Sequence, residues 1–482
     1  MKKLIYILTF LPFFSCSDFL DEVSQDKIVP EKTDHFASLL LKEFNSQYPV
    51  FRQVDYMTDN MTEDPDATVV QKNNFKPVYT WQREIELSET GTSVNNNNAW
   101  QFSYEDIAIA NYVIELINDA DGSQEEKDYI KGEAYFIRAF SYFNLLNLYG
   151  VPYNAATANT DLGVVLRTSI GVEQVYSRNT VAECYALIEE DLTKATKLIA
   201  VSGITKSIWH PSVTACDLLM SRVKLYQEKW DEAITYATSV IDNGSLSVMA
   251  TGTPFVTASN KEILYSFHTV NPLFSVFDSN GTFQTMPFRV SKAFANSFST
   301  NDKRKSVFFE GKDDGTGVNY YLPLKYQTSR YTTLGFNNFR VAEAYLNRAE
   351  ALAQNGNVTE AINDIKALQA TRYTTTSGIS YPTDQTAALA FILNERRKEL
   401  CFEDHHRWFD LRRMKNRPEI VHTFTLIESD GSKSGVQTYT LLSNDYNYSL
   451  PIPIKERNNN PFIRNNERFE KVPVLSGDVI IN

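Results

Sequence analysis

The distribution of hydrophobic positions predicts a mainly helical protein. Strong helical periodicity occurs in separated blocks, and Gly, Asn, Asp, Ser and Thr dominate the stretches between them. The clearest block is GEAYFIRAFSYFNLLNLYG, residues 132 to 150, whose apolar residues lie on two faces of one helix. We therefore expect this helix to be buried on two sides. Gly150 is expected to supply a left-handed C-cap, and Pro152 prevents continuation of the helix.

Pairs of these helical blocks resemble tetratricopeptide repeats. In KWDEAITYATSVI and NVTEAINDIKALQ, Ala233 and Ala361 stand where that repeat needs a small residue, because its two helices cross closely there. The predicted pairs cover residues 131–199, 212–241 and 339–369 approximately. Long insertions separate them, notably residues 251–338, which carry strand-like runs such as EILYSFHTV. The expected fold is mainly α, a tetratricopeptide-like helical-repeat scaffold with long irregular insertions and a few short strands.

The N-terminus predicts export and lipidation. Two lysines precede the apolar run from Leu4 to Phe14, and the small residue Ser15 stands just before Cys16. The run is too short to span a hydrocarbon core, which takes about 20 helical residues. We therefore expect residues 1–15 to be a cleaved signal peptide, with Cys16 as the lipidated first residue of a single mature domain, 16–482. Ordinary secretion is the alternative.

Composition and charge narrow the classes of function. The 482 residues are 43% hydrophobic and 22% charged, as in a folded globular protein, and the formal net charge is -12. This acidic balance, with only short basic runs, argues against a nucleic-acid partner. Cys184, Cys216 and Cys401 remain after Cys16, an odd number without CxxC spacing. They predict neither a disulfide framework nor a zinc site, and we expect them to be small buried hydrophobes.

The stretch EDHHRWFDLRR, which starts at Glu403, raises the question of a metal or catalytic centre. Neighbouring residues of a helix point about 100° apart, so His405 and His406 cannot easily face one ion, and a zinc helix would space them at i and i+4. We interpret the stretch as structural, with Arg396 and Arg397 paired with acids and Trp408 packed inward. Recognisable catalytic motifs are missing elsewhere in the sequence. We therefore expect no enzyme activity, no catalytic residues, no cofactor and no metal.

Six segments of the chain together resemble the SusD/RagB family of outer-membrane lipoproteins. They are CSDFLD at Cys16, WQFSYEDIAIANYVI at Trp100, KGEAYFIRAFSYFNLLNLYGVPY at Lys131, VSKAFANSFSTNDKR at Val290, ERRKELCFEDHHRWFDLRR at Glu395 and LPIPIKERNNNP at Leu450. The resemblance implies a lipid-anchored, surface-exposed protein of the cell outer membrane. It implies a glycan or oligosaccharide ligand and delivery to a SusC-like TonB-dependent transporter. A peptide-capturing RagB-like protein and an envelope scaffold protein remain alternatives.

The first set of candidate ligand-binding residues surrounds Trp81. A sugar site needs an aromatic face for the ring and polar groups for the hydroxyls. Trp81 lies outside the helical blocks, in NNFKPVYTWQREIELSE, with Tyr79, Arg83, Glu84 and Asn74 nearby. The other four tryptophans lie within or at the start of helical blocks and are predicted to be structural. A core position for Trp81 is the alternative to a sugar platform.

Two further sets of residues are candidates. Tyr320 and Tyr321 follow the turn residues DDGTG and form the second set. Asp59 and Asn60, in MTDNMTED, form the third and weaker set. Sugar and peptide ligands are not distinguished by any of these residues, because aromatic rings with polar neighbours would serve either.

Overall fold

A computed structural model describes most of the chain. The described residues are 30–46, 52–65, 67, 69–94, 97–171, 176–267, 287–313, 319–325, 334 and 337–476. The predicted signal peptide and Cys16 lie outside them.

Helices dominate the described residues. The α-helices are α1 (Thr33–Ser46), α2 (Val69–Tyr79), α3 (Ala99–Leu116), α4 (Gln124–Tyr149), α5 (Val181–Ser202), α6 (Val213–Tyr226), α7 (Trp230–Asn243), α8 (Lys292–Asn296), α9 (Arg304–Phe308), α10 (Val341–Gln354), α11 (Val358–Arg372), α12 (Gln385–Glu399), α13 (His406–Arg413) and α14 (Ile454–Asn459). Short 3-10 helices cover Arg52–Met57, Ile117–Asp119 and Tyr446–Tyr448.

Strands are short and form three antiparallel sheets. They are β1 (Met61–Glu63), β2 (Ile263–Phe267), β3 (Phe288–Val290), β4 (Phe309–Asp313), β5 (Asn319–Pro323), β6 (Asn337–Arg340), β7 (Ile420–Ile427), β8 (Lys433–Leu441) and β9 (Val474–Ser476). The strand orders are β1-β3-β5-β4, β2-β6 and β7-β8-β9. The strand-like run EILYSFHTV contains β2, which pairs with β6 immediately before α10.

The helices pack in successive pairs. Helix α4 packs on α5, α6 on α7 and α10 on α11, and contacts of α5 with α6 and of α7 with α10 join the pairs into one array. Ala233 and Ala361 are fully buried, as the close crossing of a tetratricopeptide-like pair requires. The predicted fold class, mainly α with a few short strands, is confirmed.

Helix α4 is the central element of the core. It begins with a capping box between Ser123 and Glu126 and is buried on both sides, as predicted. The predicted left-handed cap at Gly150 is wrong, because this residue has φ -74°. Glycine is needed there for space instead, since an added Cβ would lie 2.7 Å from the backbone oxygen of Leu146. The carbonyl of Gly150 accepts a hydrogen bond from Ser449 Oγ at 2.9 Å, which ties the helix end to the C-terminal segment.

The segment with two histidines is a tight buried turn. Phe402, Asp404 and His405 have φ values of 58°, 48° and 59°, in the left-handed region, and α13 starts at the next residue. Burial lowers the pKa of His405 to about 3, so the ring is neutral. Trp408 is fully buried and stacks on Tyr448. These features confirm the structural interpretation of this segment.

Ion pairs with almost no exposed surface hold the turn in place. Arg340, at the end of β6, pairs with Glu262 at 2.7 Å, Glu399 at 2.8 Å and Glu403 at 2.6 Å. These contacts join the insertion to α12 and to the turn that follows it. Removing one member would leave a buried charge without its partner, which is strongly destabilising.

The predicted pairing of the two arginines of α12 is confirmed. Arg396 contacts Asp410 at 2.9 Å, and Arg397 contacts Asp59 at 3.1 Å. Among the described residues, no group of three or more His, Cys, Asp and Glu side chains is placed to hold a metal ion.

The three cysteines of the described chain are buried. Cys184, Cys216 and Cys401 have free thiols, and burial raises the pKa of each, as expected for small core residues. Within the same described residues, we find no helix with the length and apolar character needed to cross a membrane.

Candidate ligand-binding site

The structure places Trp81 in the core. Its side chain has no exposed surface, its Nε1 donates to the backbone oxygen of Met57 at 2.9 Å, and its ring stacks on His422 at 4.3 Å. Tyr79 is equally buried and stacks on the other face of His422 at 4.1 Å. Neither ring can meet a ligand, so the prediction of a sugar platform at these two residues is wrong.

The backbone explains why Trp81 turns inward. Helix α2 ends in a Schellman motif, in which the N–H of Gln82 donates to the oxygen of Pro77 at 2.8 Å and the N–H of Trp81 donates to that of Val78 at 3.1 Å. Trp81 occupies the left-handed position of this motif, with φ 53°, where glycine is usual. The burial of its large ring offsets the strain of that conformation.

Two of the candidate residues near Trp81, Arg83 and Glu84, line a cavity of about 440 Å³, here called the second cavity. Arg83 is exposed, and Glu84 forms an ion pair with Arg457 at 2.7 Å. Asn74 is half-buried on α2 and is not among the lining residues. The second cavity is lined by Asn73, Lys76, Pro77, Gln82, Arg83, Glu84, Leu87, Ser88, Glu89, Thr90, Gly91 and Glu470. This lining contains no aromatic ring.

The third candidate set is engaged in structural contacts. Both oxygens of Asp59 accept hydrogen bonds from Arg407 at 2.7 Å. Asn60 is fully buried and accepts from Arg397 Nε at 2.8 Å. Asn60 is inaccessible, which contradicts its prediction as a ligand residue, whereas Asp59 is half-buried beside two arginines and stays a prediction.

The tyrosine pair is only partly described. The side chain of Tyr320 lies outside the described residues. Tyr321 is half-buried, donates from its hydroxyl to Asn296 Oδ1 at 3.0 Å and lines a cavity of about 510 Å³. Tyr321 therefore stays a candidate, because it lines a cavity.

The largest of these cavities lies elsewhere, between α3, the segment before α5, and α14. Its volume is about 570 Å³, and we call it the main cavity. It is lined by Glu86, Asn97, Asn98, Trp100, Gln101, Tyr104, Glu105, Ala108, Val165, Arg167, Tyr176, Pro453, Lys455, Glu456, Asn459 and Asn460.

Helix α3 supplies one wall of the main cavity. Trp100, Tyr104 and Ala108 follow one another at intervals of four residues and so lie on one face of the helix. Trp100 is 5% exposed, and its ring packs edge-on against Tyr149, with ring centres 5.1 Å apart. Tyr104 is fixed by a hydrogen bond from its hydroxyl to the oxygen of Val165 at 2.7 Å. Both rings are therefore held rigidly at the cavity wall.

Arg167 and Tyr176 supply the opposite wall. The guanidinium of Arg167 lies over the ring of Tyr176, 5.5 Å from its centre. The backbone of Arg167 is tied to α4, because its N–H donates to the hydroxyl of Tyr142 at 2.6 Å and its oxygen accepts from that hydroxyl at 2.8 Å. This wall is thus anchored to the most buried helix of the core.

The third wall comes from α14 and the residues beside it. Glu86 accepts a hydrogen bond from the N–H of Ile454 at 2.8 Å, and burial raises the pKa of its carboxyl group. Asn460 donates from Nδ2 to the oxygen of Tyr176 at 3.0 Å. The bond from Asn460 connects this wall to the wall formed by Arg167 and Tyr176.

The lining of the main cavity suits a ligand rich in hydroxyl groups. It has three aromatic rings, five side-chain amides, three carboxylates and two cations. Rings can stack on the apolar face of a sugar, while amides, carboxylates and guanidinium groups bind its hydroxyls. The nearly balanced charge favours a neutral ligand.

Sequence reasoning missed this site. Trp100 was predicted to be structural because it starts a helical block, and its burial agrees with that in part. The interval of Trp100, Tyr104 and Ala108 was an available signal for an aromatic helix face. Tyr176 and Asn460 could not be connected with that face, because only the fold brings these distant segments together.

Two family models match the chain. The model described as "Starch-binding associating with outer membrane" matches residues 18–225, and the SusD family model matches residues 315–469. The curated relatives include SusD-like protein P25 and SusD-like protein P2 of Formosa agariphila, which are 23% and 22% identical to the chain. Both alignments cover 95% of this chain, with 97% of P25 and 98% of P2.

Solved structures share the fold over almost the whole chain. A SusD superfamily protein from Bacteroides thetaiotaomicron has a TM-score of 0.72 at 22% identity, covering 91% of this chain and 100% of that structure. A SusD-like carbohydrate binding protein from Bacteroides vulgatus has a TM-score of 0.70 at 22% identity, covering 90% and 97%. Surface glycan-binding protein A from Bacteroides uniformis has a TM-score of 0.66 at 16% identity, covering 90% and 99%.

Proposed function

The chain belongs to the SusD/RagB family, and from this premise we propose that it binds glycans or oligosaccharides in the main cavity. Proteins of this family are non-catalytic binding proteins, in agreement with the expectation that the chain is not an enzyme. The observation that carries the proposal is the convergence of Trp100, Tyr104 and Tyr176 with amides and carboxylates in one cavity. The names of relatives that bind starch, carbohydrate or glycan support it.

The size of the main cavity limits the bound part of the ligand. At about 570 Å³ it lies within the range of roughly 300 to 1,000 Å³ typical of small-molecule sites. We therefore expect the site to hold a short oligosaccharide or a few units of a longer glycan.

A blocking substitution tests the site. Ala108 is exposed on α3 and lines the main cavity, so Ala108→Trp should fill it without disturbing the core. Calorimetry with a panel of soluble oligosaccharides should show binding by the wild type and its loss in the variant. Ala367→Trp, at an exposed position of α11, is the matched control and should bind normally. Normal binding by Ala108→Trp would place the glycan elsewhere.

Peptide capture is the alternative that the same experiment addresses. The rings and amides of the main cavity could also hold a peptide, and RagB-like capture was left open by the sequence. Titration with a panel of short peptides should give no binding. If peptides bind the wild type but not Ala108→Trp, and no oligosaccharide binds the wild type, the peptide proposal would replace the glycan proposal.

We further propose that the protein is anchored in the outer membrane through lipid on Cys16 and faces outward. The family description associates these proteins with the outer membrane. The support for the anchor is the short apolar run that ends just before Cys16. A Cys16→Ala form should be released from membranes. Retention in the detergent phase would contradict the anchor, and resistance of the wild type to protease added to intact cells would contradict the outward placement.

The proposed partner is a SusC-like TonB-dependent transporter, to which the bound glycan is delivered. A surface that could contact it lies on and beside the sheet β7-β8-β9. Its exposed apolar residues, here called the C-terminal apolar surface, are Val421, Leu442, Tyr446, Phe469, Val472, Val474 and Leu475. Groups of exposed apolar side chains are typical of interaction sites.

Affinity purification tests the partner and its surface together. From solubilised outer membranes the wild type should recover a TonB-dependent barrel, and Val474→Asp combined with Leu475→Ser should recover much less. Val201→Asp, a similarly exposed position on α5, is the matched control. Recovery of periplasmic assembly factors alone would favour the scaffold alternative.

A further inference from the structure

A smaller cavity adjoins the main cavity along the same face of α3. Its volume is about 180 Å³, and we call it the side pocket. It is lined by Tyr104, Ile107, Ala108, Asn111, Tyr112, Arg167, Ser169, Ile170 and Gly171. Tyr104, Ala108 and Arg167 line both cavities, so the two spaces meet at these residues. A ligand in the main cavity can therefore extend a group into the side pocket.

The walls of the side pocket are mostly apolar. Ile107, Ala108 and Ile170 present aliphatic carbon, and Tyr112 adds a ring. The polar ends of Asn111 are already bound, because Nδ2 donates to the oxygen of Arg167 at 3.0 Å and Oδ1 accepts from Arg138 Nη1 at 2.7 Å. A hydroxyl group placed there would lose its hydrogen bonds to water without full replacement, whereas an apolar group would gain from burial.

Arg167 stands at the boundary of the two cavities. Its guanidinium lies over Tyr176, and Nη2 donates to the oxygen of Gly171, so the group is held in place. A guanidinium has five N–H donors, and the remaining ones can bind an ester carbonyl or a ring hydroxyl at this boundary. The arrangement therefore suits a polar link followed by an apolar end.

We propose that the side pocket receives a small apolar substituent of the bound glycan, either the methyl group of a 6-deoxy sugar or the acyl group of an ester. The inference rests on the proposed function, because it assumes a glycan in the main cavity. The volume of about 180 Å³ is below the roughly 300 Å³ of the smallest typical ligand sites, so the side pocket holds a substituent and not a second ligand.

Matched oligosaccharide pairs test the inference by calorimetry on the full mature chain. One pair is partly acetylated xylotriose and its alkali-deacetylated form, and the other is a fucosylated trisaccharide and its counterpart with the 6-hydroxyl restored. In at least one pair the apolar member should bind more tightly, by about fourfold for each buried methyl group. The pair that shows the difference identifies an acyl ester or a deoxy sugar as the source of the substituent.

Variants of Ile170 assign the preference to the side pocket. Ile170 is 43% exposed, so its replacement does not endanger the core. Ile170→Asn should remove the preference and leave the affinity for the unsubstituted member unchanged, while Ile170→Val and the exposed control Val248→Asn should retain it. The proposed role of the side pocket would be contradicted if the wild type bound both members of each pair equally, or if Ile170→Asn kept the preference. Either result would leave the proposed function intact. Failure of every oligosaccharide to bind the wild type would remove the proposed function and this inference with it.

Discussion

Two aromatic clusters of this protein differ in whether their ring faces are covered. In the first, here called the core stack, Phe288, Tyr79, His422 and Trp81 follow one another with ring centres 4.2, 4.1 and 4.3 Å apart. All four are buried. In the main cavity, Trp100 is also buried, but Tyr104 and Tyr176 are half-buried, and all three rings border empty space between three chain segments. The first cluster stabilises the fold, and the second can contact a ligand.

The comparison shows that local composition does not decide the role of an aromatic ring. Trp81 has Gln82, Arg83 and Glu84 beside it in the sequence, and Trp100 has Gln101 beside it, so both have polar neighbours. What separates them is the partner on each ring face. His422, far away in the chain, covers Trp81, whereas α14 leaves a gap opposite α3.

The largest effect is expected in the core stack. Trp81→Ala should lower the free energy of unfolding by about 3 to 5 kcal/mol, because it removes a buried ring and leaves a cavity. Denaturant unfolding monitored by circular dichroism measures this loss. Trp230→Ala, at a half-buried position on α7, should cost less. A small loss of stability accompanied by weaker glycan binding would instead indicate that Trp81 is a ligand-binding residue.

The core stack should also be sensitive to acid through His422. Its Nδ1 lies 2.8 Å from the oxygen of Tyr79 and its Nε2 3.1 Å from that of Thr58, and burial, which outweighs these two contacts, lowers its pKa to about 4. The unfolded chain, with a histidine pKa near 6.5, then binds more protons between these two pH values. Stability should therefore fall as pH falls from about 6.5 to 4, by up to about 3 kcal/mol from this residue.

The pH dependence of stability in a variant isolates this contribution. His405 and His406 also have lowered pKa values and act with the same sign, so the slope in His422→Phe should be reduced but not abolished. An unchanged slope in His422→Phe would show that folding does not lower the pKa of His422.

The helical scaffold could be predicted from sequence because its signals are local. The small residues Ala233 and Ala361 marked close helix crossings, and the periodicity of residues 132 to 150 marked a helix buried on both sides. The two-sided burial of α4 follows from the sequence alone, whereas the conformation of Gly150 does not. Its φ value depends on the packing against Leu146 and Ser449, which local sequence does not encode.

The candidate site was less predictable because its parts are far apart in the chain. Arg83 is exposed and Glu84 is half-buried, yet the ring of Trp81 beside them turns into the core through the left-handed C-cap of α2. Nothing in the sequence around Trp81 indicates His422, its stacking partner. The main cavity likewise needs the packing of Arg167 on Tyr176 opposite α3, which is a property of the assembled fold.

For substitutions in the main cavity, we expect the main effect on the affinity for glycan. Tyr176→Ala should weaken glycan binding by roughly 1 to 3 kcal/mol, because it removes a stacking face and the support of Arg167. Its effect on stability should be small, since the ring is only half-buried. Calorimetry and thermal melting separate the two quantities. Tyr153→Ala, a half-buried ring outside the cavity, is the control, and equal binding losses in both variants would contradict a specific role for Tyr176.

The smallest effect is expected at Arg83, whose substitution tests the second cavity. Arg83 is exposed, and the second cavity has no aromatic ring on which a sugar could stack. Arg83→Ala should therefore leave glycan affinity unchanged and alter stability by no more than about 0.5 kcal/mol, as for most surface substitutions. Glu84 is less suitable for this test, because its ion pair with Arg457 connects the second cavity to α14 and so to the main cavity. A clear loss of glycan affinity in Arg83→Ala, with Tyr176→Ala binding normally, would move the site to the second cavity. Such a result would mean that polar contacts alone hold the ligand and that neither aromatic cluster takes part in recognition.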